Sequence, residues 1–358
     1  MGLAVRSDPL LSGRMLDRRS ALAAMASAAA FVPLAAAAAA EAAGKPPRLR
    51  AGDMVGLVAP AMFSDDPTEM EAIKANVASM GLVPRVGRYV TARHGYLAGT
   101  DRMRAEDINR MYADPEVRAV FAVHGGWGSA RLLPFLDWKT IAANPKLLIG
   151  SSDITALHLA FAARAGFPSI HGPNASGSWN EISRASFQSL AFAGESPTFR
   201  NPDASALDPM LQERWRITPI RPGSAAGRLI GGNLSVLAAL VGTPWLPDFT
   251  GAILFLEDVG EAPYRIDRMI TQLGQAGILS KVAGIVFGQC TRCGNGAPDY
   301  RGFTVPQILI HHLAPLGVPV FLGANIGHVA NQLCLPVGAR VEIDAGAGSI
   351  RILEPVVA

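Results

Sequence analysis

The 358-residue chain is poor in the features that mark a metalloprotein, a redox protein or a binder of polyanions. It has three cysteines. Cys290 and Cys293 form a lone Cys-x-x-Cys with no second pair and no His-x-x-x-His partner, which makes a poor zinc site. Both a disulfide and two free thiols fit that spacing, with free thiols narrowly favoured. No His-Glu-x-x-His run occurs, so metal-free chemistry is expected. Charged residues are 17% of the chain and the net charge is +3, with lysines and arginines scattered. That distribution gives no electrostatic footprint for nucleic acid or an anionic membrane and leaves a small molecule or peptide as partner. There is no internal repeat, and no low-complexity segment beyond the first forty-odd residues. The 49% hydrophobic content is that of a globular protein, long enough for two domains.

Residues 1–43 read as a leader. Asp17-Arg18-Arg19-Ser20 precedes an uncharged, mostly alanine run from Ala21 to Ala40, the pattern of a twin-arginine export signal with an Ala-x-Ala type cleavage region. Met15 is an alternative start. Alanine is too weakly apolar to hold a membrane span, so no stable anchor is expected, and a leader without cysteine excludes lipid attachment there. The expected location is the periplasm.

After the leader, buried strands and helices alternate. Met54 to Ala59 is an apolar strand closed by Pro60, and Met70, Ile73, Val77 and Met80 recur at helical spacing up to Gly81. Leu82 to Val86 suggests a strand, Asp101 to Tyr112 a helix and Val117 to Val123 a wholly apolar strand. Continuous apolar strands between helices predict a parallel sheet covered on both faces.

The next unit organises the chain. Leu147-Leu148-Ile149 ends at Gly150, Ser151-Ser152-Asp153 follows, and Ile154, Leu157 and Ala160 recur at helical spacing. Strand, tight turn and helix would lift Ser152 off the sheet beside the free N–H groups of a helical first turn. Ser152 is thus a candidate nucleophile, against the plainer reading of a Ser/Asp helix cap. The loop from His124 to Ser129, directly after a buried strand, has glycines that let backbone N–H groups approach a ligand, as an oxyanion-hole donor must. Its Gly-Gly-x-Gly spacing is not the dinucleotide fingerprint, so no nucleotide cofactor is expected.

Residues 201–224 lack periodicity and end in Arg221-Pro222-Gly223-Ser224, the texture of a linker. Beyond it, Ala252 to Leu256 is an apolar strand that delivers Glu257 and Asp258 at its end. A helix carrying Ile266, Met269, Ile270 and Leu273 follows, then a strand from Val282 to Phe287, and Val318 to Phe321 leads to Gly327-His328.

Taken together, these blocks resemble the LD-carboxypeptidase family of serine peptidases, which includes the microcin C self-immunity proteins. The resemblance runs from about Arg48 to the end. It is carried by His124-Gly125-Gly126-Trp127-Gly128-Ser129-Ala130-Arg131-Leu132-Leu133, Gly150-Ser151-Ser152-Asp153, Gly231-Gly232-Asn233-Leu234, Leu254-Phe255-Leu256-Glu257-Asp258 with Pro263-Tyr264-Arg265, and Gly327-His328. The fold it implies is α/β: a Rossmann-like parallel-sheet domain over 48–200 and a smaller, swivelling β-rich α/β domain over 225–358. It also implies a triad of Ser152, Glu257 and His328, oxyanion donors at the N–H groups of Gly126 and Asp153, no cofactor, and a homodimer.

The chemistry agrees with that assignment. A serine hydroxyl needs an imidazole to take its proton, and the imidazole needs a carboxylate to fix its tautomer. His158, just after Ser152, fits a packed helix position, and His171 a pocket wall or structural loop. Without the resemblance His328 and His124 rank evenly as the base. Glu257 and Glu261 both lie near the distal strand end, and Glu257 has the stiffer seat. His124, Trp127, Ser151 and Asn174 depart from the family's usual residues and are candidates to line the substrate cleft. Arg265 is a candidate to pair with a substrate carboxylate, on even terms with a structural role beside Asp267 or Glu261. The activity implied is release of terminal D-alanine from murein stem tetrapeptides. A related amidase acting on a peptide-nucleotide is the alternative, and a non-catalytic periplasmic binding protein the alternative of another class.

Overall fold

A computed structural model describes residues 44–358 except 65, 204–214 and 295–298. The expected leader at 1–43 and part of the expected linker lie outside the described residues.

The first half alternates as its apolar runs predict: β1 (Met54–Val58), α1 (Pro67–Ala78), β2 (Val83–Val86), α2 (Asp101–Ala113), β3 (Val117–Ala122), α3 (Ser129–Leu132), α4 (Trp138–Ala143), β4 (Leu147–Gly150), α5 (Thr155–Arg164), β5 (Ser169–His171) and α6 (Glu181–Phe187). The helices start where side chains can cap them, as when Asp66 accepts from Thr68 N ahead of Pro67 and Thr100 accepts from Met103 N. Strands β1 to β5 are all parallel, in the order 2-1-3-4-5. In that order the strand connections reverse direction between β1 and β3, which opens a crevice at the carboxyl ends of the strands. Both the His124–Ser129 loop and the Ser151–Asp153 turn leave from those ends. Leu147, Leu148 and Ile149 of β4 are fully buried, each adding about 1.5–3 kcal/mol of apolar burial and so fixing the seat of Ser152.

The second half contains β6 (Thr198–Phe199), β7 (Thr218–Arg221), β8 (Ser224–Asn233), α7 (Leu234–Ala239), β9 (Ile253–Val259), α8 (Pro263–Gln275), β10 (Gly284–Thr291), α9 (Val305–Leu313), β11 (Val320–Leu322), β12 (Leu335–Val337), β13 (Arg340–Asp344) and β14 (Ser349–Ile352). Its eight-stranded sheet runs β6-β14-β13-β8-β9-β10-β11-β7, with β8 to β11 parallel. The segment read as a linker is partly strand: β7 pairs antiparallel with β11. Strand β12 crosses back to the first sheet, where Leu335 pairs with His171, so His328 sits on a connection between the two sheets. One apolar cluster likewise joins Val55, Phe121 and Ile149 of the first half to Phe255, Val286 and Phe321 of the second.

The expectation of free thiols at 290 and 293 is corrected. A turn at the end of β10 brings the two Cα atoms to 5.4 Å, within reach of a disulfide, and the sulfurs are joined. Cys334 is a buried free thiol, whose pKa desolvation pushes up to about 12, which makes it inert. Among the described residues no helix is long and apolar enough to cross a membrane.

Candidate active site

Ser152 opens a single helical turn, Ser152–Ile154, between β4 and α5. Its φ is +64°, a conformation that costs a non-glycine residue about 1–3 kcal/mol and persists only where the surroundings impose it. The surroundings here are specific. Ser151 N donates to Asn174 Oδ1 at 3.1 Å, and the carboxylate of Asp153 accepts from Ser129 N at 2.7 Å. Burial pushes the Asp153 carboxyl up, against hydrogen bonds from Ser129 and Gly128 and the charge of Arg104. The turn is thereby tied to the loop after β3 on one side and to the segment after β5 on the other.

The glycine loop lies against the serine. A Cβ on Gly125 would stand 2.9 Å from the Cβ of Ser152, so only glycine permits this approach. Gly126 follows at φ +111°. Asp153 is the second residue of a helical turn, whose N–H has no partner within the turn. Arg104 anchors the loop from below, donating to Gly128 O at 2.9 Å and to Pro60 O while paired with Asp101. The sequence reading passed over Arg104, whose signal was a cation on the inner face of an otherwise charged helix.

Glu257 and His328 arrive from the second sheet. Glu257, fully buried, is the residue of β9 opposite Asn233 of β8. His328 Nδ1–H donates to Glu257 Oε2 at 2.7 Å, and Ser152 Oγ lies 3.0 Å from His328 Nε2. Gly327, at φ +106°, makes room for the carboxylate, because a Cβ there would stand 2.5 Å from Glu257 Oε2. Burial alone would lower the pKa of His328. The hydrogen bond and charge of Glu257, with Asp258 behind it, outweigh burial and the charge of Arg292, so the net shift is upward. Asp258 is itself held by Ser235 and by Asn233 Nδ2 at 3.1 Å. Asn233 N in turn donates to Thr155 Oγ1 at 2.9 Å, joining the two halves beside the site.

The structure thus brings Ser152, Glu257 and His328 together, with Gly125 against the serine, Gly126 next in that loop beside Met62, and Asp153 next in the turn. The candidate cleft residues divide. Asn174 is spent on the turn, accepting from Ser151 N. Trp127 is half exposed, packs edge-on to Tyr96 and lies beneath the Arg131 guanidinium. His124 is committed to Ser176 at 2.9 Å and stands 3.4 Å from Glu69, away from the role of base. Arg265 lies 3.6 Å from Glu261 and donates to the Tyr264 hydroxyl at 3.3 Å. Glu261 touches Ser235 and not His328. His158 is a packed helix residue, bonded to Ser169 Oγ and Gly150 O and held neutral, its pKa lowered by burial to about 4. His171 is buried in β5, with neither ring nitrogen hydrogen-bonded among the described residues. No cluster of metal-ligating side chains occurs among the described residues.

A hydroxyl, an imidazole and a buried carboxylate in one hydrogen-bonded row, beside free N–H groups, can activate an oxygen nucleophile and receive an oxyanion. The signature of the LD-carboxypeptidase N-terminal domain matches residues 55–172 and that of the LD-carboxypeptidase C-terminal domain residues 226–343. The chain belongs to the LD-carboxypeptidase family. It is 35% identical over 302 residues to a probable murein peptide carboxypeptidase of Bacillus subtilis, covering 84% of this chain and 91% of that protein. The solved muramoyltetrapeptide carboxypeptidase of Oxalobacter formigenes superposes with a TM-score of 0.70 at 29% identity, over 84% of this chain and 97% of the other. A microcin C7 self-immunity protein superposes with a TM-score of 0.77 at 26% identity, over 88% and 99%. The chain is a mixed α/β protein with a parallel N-terminal sheet and a second, larger sheet, in a fold shared with those solved structures. In a hydroxyl–imidazole–carboxylate row of this kind the imidazole can take a proton only while it is neutral. The acid limb of kcat/KM is therefore expected above pH 6.5, the ordinary imidazole value, with activity falling as pH drops through the raised pKa. A pH–rate profile with its acid midpoint below 6.5 would count against His328 as the base.

Proposed function

We propose that this protein is a serine-type LD-carboxypeptidase that releases the terminal D-alanine of murein stem tetrapeptides. The observation that carries the reading is the row Ser152–His328–Glu257, assembled from both sheets on a serine held at φ +64°. In this reading Ser152 Oγ attacks the carbonyl carbon of the L-centre and gives its proton to His328 Nε2. Glu257 stabilises the imidazolium, and the N–H groups of Gly126 and Asp153 receive the oxyanion. The intermediate collapses as His328 protonates the departing amine of D-alanine. Water, with His328 again as base, then frees Ser152 from the acyl group.

The names of the Bacillus and Oxalobacter relatives support the murein peptide as substrate. The likeness to the microcin protein supports a second reading, hydrolysis of a peptidyl-nucleotide. Incubating the purified protein with each compound and reading the products by mass spectrometry decides. Loss of one alanine from the tetrapeptide is expected, while cleavage of the peptidyl-nucleotide alone would select the second reading and no product from either would favour a binding protein.

For location, we propose export through the twin-arginine route, supported by Arg18-Arg19 ahead of the alanine run. The Cys290–Cys293 disulfide is of the kind that persists in an oxidising compartment. Replacing both arginines by lysine is expected to leave precursor in the cytoplasm. An unchanged periplasmic yield on fractionation would refute the export reading.

A further inference from the structure

A carboxypeptidase must recognise a free carboxylate close to the bond it cuts, and the row described above says on which side. His328 hands its proton to the leaving amine, so the leaving residue lies on the His328 side of Ser152. Its carboxylate carbon is two bonds from that amine. A cation that reads it must therefore reach the immediate surroundings of the imidazole.

Two arginines compete. Arg265 is already engaged by Glu261 and by the Tyr264 hydroxyl. Arg292 is exposed and has no ion pair or side-chain hydrogen bond among the described residues. It stands at the carboxyl end of β10, the strand that pairs with Glu257's own strand: Cys290 lies opposite Asp258 and Thr291 opposite Val259. Its charge acts on His328. The turn that bears it is closed by the Cys290–Cys293 disulfide and pinned to the β9–α8 loop by two backbone bonds, from Gly260 N to Thr291 O at 2.9 Å and from Gly294 N to Glu261 O at 3.2 Å. Within that turn Arg292 takes φ +57°, a conformation of low intrinsic population that the closed loop imposes. A cation so held, unspent and beside the general base, is organised for an incoming anion.

We propose that Arg292, presented on the disulfide-closed turn after β10, binds the terminal carboxylate of the leaving residue and restricts the enzyme to peptides with a free C-terminus. The proposal rests on the peptidase reading above. It is tested with the murein tetrapeptide and the same peptide ending in D-alaninamide, on wild type, Arg292→Ala, Arg292→Lys and Arg265→Ala. Wild type is expected to prefer the acid. Arg292→Ala lowers kcat/KM for the acid by about 10- to 100-fold, the loss of a charge-assisted hydrogen bond, mainly through KM, and lowers the acid-to-amide ratio by the same factor, both read at a pH above the acid limb because the charge of Arg292 also acts on His328. Lysine at 292 restores part of the preference, keeping the charge without the fork. An acid-to-amide ratio unaltered in Arg292→Ala, or collapsed by Arg265→Ala in its place, overturns the assignment while the peptidase reading stands. No turnover of either peptide by wild type overturns both.

Discussion

Ser152→Ala is expected to lower kcat by a factor on the order of 10⁶, the cost of losing the nucleophile in a triad hydrolase, with only binding and the oxyanion donors left to act. The fold is expected to survive. Among the described residues Ser152 Oγ hydrogen-bonds to His328 Nε2, and the turn is held by Ser151 N on Asn174 and by Asp153 on Ser129 N, neither of which uses the hydroxyl. Alanine at 152 keeps the same φ cost as serine, so circular dichroism and melting temperature should match wild type within about 0.5 kcal/mol. Turnover within tenfold of wild type would remove Ser152 from the chemistry.

Glu257→Gln is expected to lower kcat by a factor on the order of 10³ or more, by analogy with amide replacement of the carboxylate in other triads. The amide is nearly isosteric but can turn an NH₂ toward His328 Nδ1, which selects the tautomer that cannot accept the Ser152 proton at Nε2. It also removes the charge that raises the pKa of His328, so the acid limb of the residual activity moves to lower pH. Glu261→Gln is the control. Its carboxylate contacts Ser235 and Arg265, so the change should act on KM or stability and spare kcat. Steady-state kinetics at saturating tetrapeptide separate the two, and a loss of kcat in Glu261→Gln with Glu257→Gln active would reverse the roles assigned here.

How far the site was legible in the sequence follows from how local each part is. The turn at Ser152 is local: a buried strand, a glycine and a helical apolar repeat lie within a dozen residues, and the structure has the same strand, turn and helix. The parallel first sheet is legible for the same reason, since each unit buries its own strand. Glu257 and His328 are different. Their meeting with Ser152 depends on pairing of β8 with β9 and on the β11–β12 connection returning to the first sheet, pairings between distant segments that no short pattern encodes. Before the family resemblance is invoked, His124 is as good a base as His328. What sets them apart is that His124 is taken up by Ser176 and Glu69 while Gly327 clears a place beneath His328. The strand at Thr218–Arg221 is hidden because Pro219 and Arg221 break its alternation and its partner β11 lies a hundred residues on. At Cys290-Thr291-Arg292-Cys293 the spacing carries a signal for the cysteines alone. The cation between them has no signal of its own in the sequence, and its place follows from the pairing of β10 with β9.

The central claim is that Ser152 and His328 act as one unit, and their double substitution tests it most directly. Residues that serve a single step are not additive, because once the nucleophile is gone the base has no proton to take. The measurement is kcat/KM for the murein tetrapeptide in Ser152→Ala, His328→Ala and the double variant. The account predicts that the double variant is no slower than Ser152→Ala alone. Losses that multiply would mean two independent roles, and would contradict it.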